Sequence, residues 1–214
     1  MDEGLNALRE RIEAAYIASG NALGWRFLMS PPAVLDGAQV AFIGLNPGGS
    51  VRPSEHAEFA MGAGSAYALE SWAGHPPGCS PLQREVLLLF DRIGVAPDTV
   101  LAGNLVPFRS RDWGGLRNRK NALRFGGELW RDVLARAGCT LIVTMGAVVT
   151  DTIAPMLGCD RSMTRPIGWG KVKGVQSTFV GGTLVGLPHL SRYRVISRPQ
   201  CSAPLEALFG TYWQ

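Results

Sequence analysis

Short apolar runs that break off in polar turns alternate along this chain with stretches whose apolar residues recur at every third or fourth position. The runs at 39–45, 99–106, 140–146 and 183–187 are bounded by turn residues and predict buried strands. Between them the period is helical. Leu5, Leu8, Ile12 and Tyr16 predict a helix over 4–19 that ends at Gly20. Ser80-Pro81-Leu82-Gln83 supplies a capping residue, a proline at the first helical position and a glutamine at the third. Val86, Leu87, Phe90 and Ile93 then line one face of that helix as far as Gly94. Leu123, Leu129, Trp130, Val133 and Leu134 predict a helix over 120–137, and 147–157 and 199–209 predict two more. Residues 25–29 form a further candidate strand, whereas 51–78 is polar, rich in Gly, Ala and Pro, and without a period. It predicts a long functional loop with room for one short helix.

Strand–helix alternation of this kind predicts an α/β fold, a three-layer α/β/α sandwich around a parallel sheet of about four strands. A chain of 214 residues with 46% hydrophobic content suits one domain over 1–214. No apolar run approaches the length of a membrane span, and the start, Met1-Asp2-Glu3-Gly4, is acidic where a secretory signal would be basic and then apolar. A soluble, cytoplasmic protein is expected. Cys79, Cys139, Cys159 and Cys201 lack the close pairing of zinc or iron–sulfur ligands and read as buried thiols, so no metal and no cofactor is expected.

The net charge of +4 is modest but unevenly spread. Residues 1–100 carry 6 basic and 11 acidic side chains, and residues 101–214 carry 15 and 6. Arg161, Arg165, Lys171, Lys173, Arg192, Arg194 and Arg198 follow one another with no Asp or Glu between them, an electrostatic footprint of nucleic-acid binding.

Candidate chemistry sits where the apolar runs stop. Ala41-Phe42-Ile43-Gly44-Leu45-Asn46-Pro47-Gly48-Gly49-Ser50 delivers Asn46 to the carboxyl end of a strand. Gly44 is read as allowing a close backbone approach, and Gly48 and Gly49 as permitting positive φ. Asn104 and His189 follow two other runs in the same way. Parallel strands place such ends along one edge, where open α/β sheets bind their ligands.

These blocks resemble the motifs of the uracil-DNA glycosylase superfamily. Gly44-Leu45-Asn46-Pro47-Gly48 is similar to the first motif of the mismatch-specific uracil/thymine glycosylases and the single-strand-selective uracil glycosylases. Asn104-Leu105-Val106-Pro107-Phe108 resembles the middle asparagine motif, and His189-Leu190-Ser191 the final histidine motif. Leu190 stands where the family usually has proline, and Asn46 where its most active members have aspartate. The resemblance spans 41–191 and implies a monofunctional glycosylase that flips uracil or a related base out of DNA and hydrolyses its N-glycosidic bond.

On that resemblance, Asn46 orients the attacking water and His189 donates a hydrogen bond to the pyrimidine O2. Asn104 reads the O4 and N3–H edge, with Gly44 and Leu45 also lining the base. Phe59, 13 residues beyond Asn46, is the first choice for stacking on the base, with Tyr67 and Trp72 as rivals. Leu190, Ser191, Arg192, Tyr193 and Arg194 are expected to contact DNA, Leu190 as the wedge that fills the vacated stack. The partner is then single- or double-stranded DNA, with no membrane, and the protein acts as a monomer. A non-catalytic DNA-binding protein of the same fold and a small-nucleotide hydrolase are the competing readings.

Overall fold

A computed structural model describes residues 3–52, 56–160 and 162–214; Arg161 of the basic run lies outside the described residues, as do Met1, Asp2 and 53–55 of the long loop. The described residues form one mixed six-stranded sheet and seven α-helices. The strands are β1 (Val40–Gly44), β2 (Leu101–Asn104), β3 (Leu141–Met145), β4 (Met163–Pro166), β5 (Lys173–Phe179) and β6 (Gly182–Leu187). The helices are α1 (Glu3–Ser19), α2 (Ala66–Leu69), α3 (Pro81–Arg92), α4 (Arg119–Ala137), α5 (Ala147–Met156), α6 (Leu190–Tyr193) and α7 (Ser202–Phe209). Among the described residues no helix is long and apolar enough to cross a membrane.

Strand order is β2-β1-β3-β6-β5-β4. The first four pair in parallel, and β5 and β4 extend the sheet antiparallel. The expectation of about four parallel strands is thus corrected to a mixed sheet of six. The candidate strand at 25–29 is reduced to isolated antiparallel bridges, Trp25 to Phe108 and Leu28 to Gly103, along the edge of β2.

Period-2 alternation sorts the strand side chains onto two cores. Ala41 and Ile43 of β1 join Leu101, Ile142 and Leu184 in one, covered by α1, α4 and α5. Phe42 joins Ala102, Val143, Val185 and Leu187 in the other, covered by α3, α6 and α7. The parallel strands are buried on both faces, which is why they read as continuous apolar runs. The predicted capping box forms in full: Ser80 Oγ accepts from Gln83 N–H, and Gln83 Oε1 accepts from Ser80 N–H.

Topology then fixes where a ligand can bind. The chain leaves β1 toward β2 through α3 on one face, and leaves β3 toward β6 through α5 on the other. The loops after β1 and β3 therefore diverge, and the carboxyl ends of these adjacent strands form the switch point where open α/β sheets bind their ligands.

Candidate active site

Asn46 lies on the loop that leaves β1 at this switch point. Its Nδ2 donates to Ser110 Oγ at 2.8 Å, Pro47 O at 3.2 Å and Phe108 O at 3.4 Å. Ser110 Oγ in turn donates to Asp112 O, so the hydroxyl can only accept from Asn46, and this settles which end of the amide faces inward. Among the described residues Oδ1 accepts no hydrogen bond. Of the two glycines that follow, Gly49 takes positive φ (121°) and Gly48 does not.

Asn104, at the end of β2, pairs in register with Gly44 of β1. It is buried, and its Nδ2 donates to Arg26 O at 3.3 Å while Oδ1 has no partner among the described residues. Its own carbonyl accepts from Trp130 Nε1, which ties the end of β2 to α4. The expected role of Gly44 needs correcting. A Cβ there would meet Asn104 Oδ1 and Met145 Cε at 3.5 Å, with the nearest backbone atom at 3.8 Å, so the glycine keeps space open beside the amide and admits no close backbone. Leu45 points to the opposite side and packs on the first core.

His189 follows β6 two residues beyond Leu187, which is paired with Met145 at the end of β3. The residue is exposed, yet its surroundings displace enough water to lower its pKa below the usual histidine value. Nδ1 lies 2.9 Å from Ser191 Oγ, which leaves Nε2 for another partner. Along the strand-end edge the order is Asn104, Asn46, the β3 end, then His189. With strands ~4.8 Å apart, the ends of β1 and β6, which lead to Asn46 and His189, stand ~10 Å from each other. Two surface depressions lie elsewhere, one beside Asn118–Asn121 and one beside Phe59 and Met61, and neither includes these three residues.

Two expected roles do not fit the structure. Phe59 packs against Phe27 on the first core, while Gly44 and Asn104 face Met145 and the second core. Both rivals lie on that second core, Tyr67 buried against Phe42 and Trp72 half-buried beside it. Leu190 is 0% exposed and belongs to the second core, so it cannot stand in DNA as a wedge in this conformation. The single turn of α6 explains this by directing Leu190 inward and leaving Ser191, Arg192 and Arg194 exposed, with Tyr193 half-buried. Leu190→Ala is therefore expected to cost ~2–5 kcal/mol of stability. A variant that melts like the parent would return Leu190 to the surface and restore the wedge.

Sequence reasoning missed the polar cluster behind Asn104. Arg26 is bonded through both Nη atoms to Glu70, and Trp72 Nε1 donates to the same carboxylate at 2.9 Å. His56 Nε2 lies 3.6 Å from it. The one signal was a charged residue inside the apolar run 25–29. Compared with known proteins, the chain matches no family model and no curated protein sequence.

Proposed function

We propose that the protein is a DNA glycosylase that takes uracil or a related deaminated or modified base out of the stack and hydrolyses its N-glycosidic bond, leaving an abasic site. The observation that carries this reading is the pre-orientation of two side chains flanking the switch point. Asn46 is pinned through Nδ2 with Oδ1 free, and His189 is engaged at Nδ1 with Nε2 free. The parallel core β2-β1-β3-β6, with helices on both faces, supports the α/β/α sandwich of the superfamily whose motifs the chain resembles, extended here by β5 and β4.

Cleavage of the bond builds positive charge on the deoxyribose and negative charge on the departing base. Asn46 Oδ1 accepts a hydrogen bond from the water that adds to the sugar carbon. An amide is no base, so it acts by positioning, and the water's proton leaves to solvent. His189, neutral at pH 7, donates from Nε2 to the pyrimidine O2 when Ser191 donates to Nδ1. Asn104 uses one Nδ2 hydrogen on Arg26 O and keeps the other, with Oδ1, for the O4 and N3–H edge of the base.

The test is incubation with oligonucleotides that each carry one modified base, followed by alkaline cleavage at abasic sites, with and without EDTA. No cleavage with duplex binding retained would favour the non-catalytic DNA-binding reading. Free nucleosides cleaved as fast as DNA would favour a small-nucleotide hydrolase.

The basic run supports a DNA partner. Arg165, Lys171, Lys173, Arg192 and Arg194 are exposed and pair with no carboxylate among the described residues. Arg198 stacks on Trp169 at 3.5 Å and donates to Tyr193 O, so the β4–β5 turn is tied to the segment after His189. Arg192→Ala with Arg194→Ala is expected to weaken binding to all sequences alike and to lower the log-log salt slope by ~0.7–0.9 per lost contact. An unchanged slope would mean that these charges only solvate the surface.

A further inference from the structure

Two guanidinium groups are buried close to one another near the turn after β1, and among the described residues a single carboxylate, Glu70, acts on both. Arg26, 2% exposed, forms the bidentate pair with Glu70, at 2.7 Å and 2.6 Å. Arg109, 8% exposed, is held under the Gly48–Gly49 turn by a hydrogen bond from Nη1 to Gly48 O, and forms no ion pair among the described residues. Its Nε is buried with no acceptor among the described residues. Burial and the neighbouring Arg26 charge both lower the Arg109 pKa, and Glu70 offsets them only in part. A buried cation without a partner is among the most costly arrangements a fold can keep.

The turn above it is equally unfilled. Among the described residues the N–H groups of Gly48, Gly49 and Ser50 donate to no acceptor, and all three residues are exposed. A Cβ on Gly49 would stand 3.2 Å from Arg109 Nη1, so a side chain at this position would crowd the guanidinium. A planar fork beside free amide donors is the chemistry that recognises an oxyanion, a phosphate above all. Its place is the loop that carries Asn46, on the sugar side of a base held by Asn104 and His189.

We propose that Arg109, with the Gly48–Ser50 amides, binds the phosphodiester oxyanion next to the target nucleotide. This rests on the glycosylase reading for its choice of DNA strand. It explains why the fold keeps an unpaired buried arginine: the phosphate is its missing counter-charge.

The experiment measures binding of the full-length protein to a duplex with one tetrahydrofuran abasic site, in a set where single phosphates are replaced by uncharged methylphosphonate. The parent protein is expected to lose ~10- to 100-fold in affinity at one phosphate flanking the site. Arg109→Met should bind the unmodified duplex more weakly by a similar factor and lose nothing further at that position. Its melting temperature should equal or exceed the parent's, because an uncompensated charge has been removed, and Arg109→Lys should bind at an intermediate level. A destabilised Arg109→Met that keeps the parent's methylphosphonate profile would overturn the proposal and make Arg109 structural. Stabilisation of the parent by inorganic phosphate or deoxyuridine monophosphate, with no binding of the duplex, would overturn the assignment to a DNA strand. Absence of base excision with the position-specific loss retained would remove the glycosylase reading and leave this phosphate site standing.

Discussion

Replacing His189 with alanine is expected to reduce single-turnover excision of uracil from an oligonucleotide by ~10²- to 10³-fold, the typical loss when one preorganised donor to a developing oxyanion is removed. Folding should hardly change, because the side chain is exposed and its hydrogen bond is to Ser191, two residues away. Ser191→Ala, which frees the ring without removing it, should lose much less. A His189→Ala protein that excises at the parental rate would remove this residue from the chemistry.

The pH profile gives a second readout of the same group. Partial loss of solvent around the ring lowers the His189 pKa below 6.5, so the neutral form prevails at pH 7 and above. If the neutral form carries the reaction, activity persists as pH rises, and any bend lies below 6.5. That bend should be missing in His189→Ala. If the imidazolium were required, the rate would instead decline as pH rises through the same pKa and be low at neutrality.

What the sequence revealed and what it hid divide along physical lines. Parallel strands buried on both faces must be apolar throughout, so β1, β2, β3 and β6 were legible as runs, and Asn46, Asn104 and His189 as the residues where the runs stop. The start of α3 was legible because capping is local, resting on Ser80 and Gln83 three residues apart. Strands β4 and β5 were not, for β4 is exposed along its whole length and has no apolar face to betray it. Its pairing with β5, and that of β5 with β6, arises from backbone register such as Val175 opposite Gly186. Leu190 was ambiguous for another reason. A leucine after a strand-end histidine suits either a wedge or an inward anchor, and only the turn of α6 decides between them. The spacing of Phe59 from Asn46 matches the resemblance, but distance along a loop carries no information about which face of the sheet the ring reaches. The Arg26–Glu70 pair joins residues 44 positions apart, and no local pattern announces such a partner.

That pair carries a large expected stability effect. Glu70→Ala should cost ~3–5 kcal/mol, because it leaves Arg26 buried without its carboxylate and next to the equally unpaired Arg109. For a chain of this length that corresponds to a fall in melting temperature on the order of 10 °C. Adding Arg26→Met should recover most of the loss, since an apolar replacement of a buried ion pair is often neutral or stabilising; the two changes are then strongly non-additive. Acidification provides a signed check. Burial by itself would raise the Glu70 carboxyl, but the Arg26 hydrogen bonds and charge, with Trp72 and His56, outweigh it and hold the group below 4.5. A carboxyl depressed in the folded state contributes stability above its unfolded pKa and loses it as pH falls through the lower folded value. Denaturation curves of the parent and Glu70→Ala should therefore differ most near neutrality and converge below pH 4.5. The consequence reaches the site, because Arg26 O anchors Asn104 Nδ2, so a loosened Arg26 should weaken base reading as well as folding. A Glu70→Ala protein with the parental melting temperature, or a double variant as unstable as the single one, would show that this cluster holds neither the fold nor Asn104.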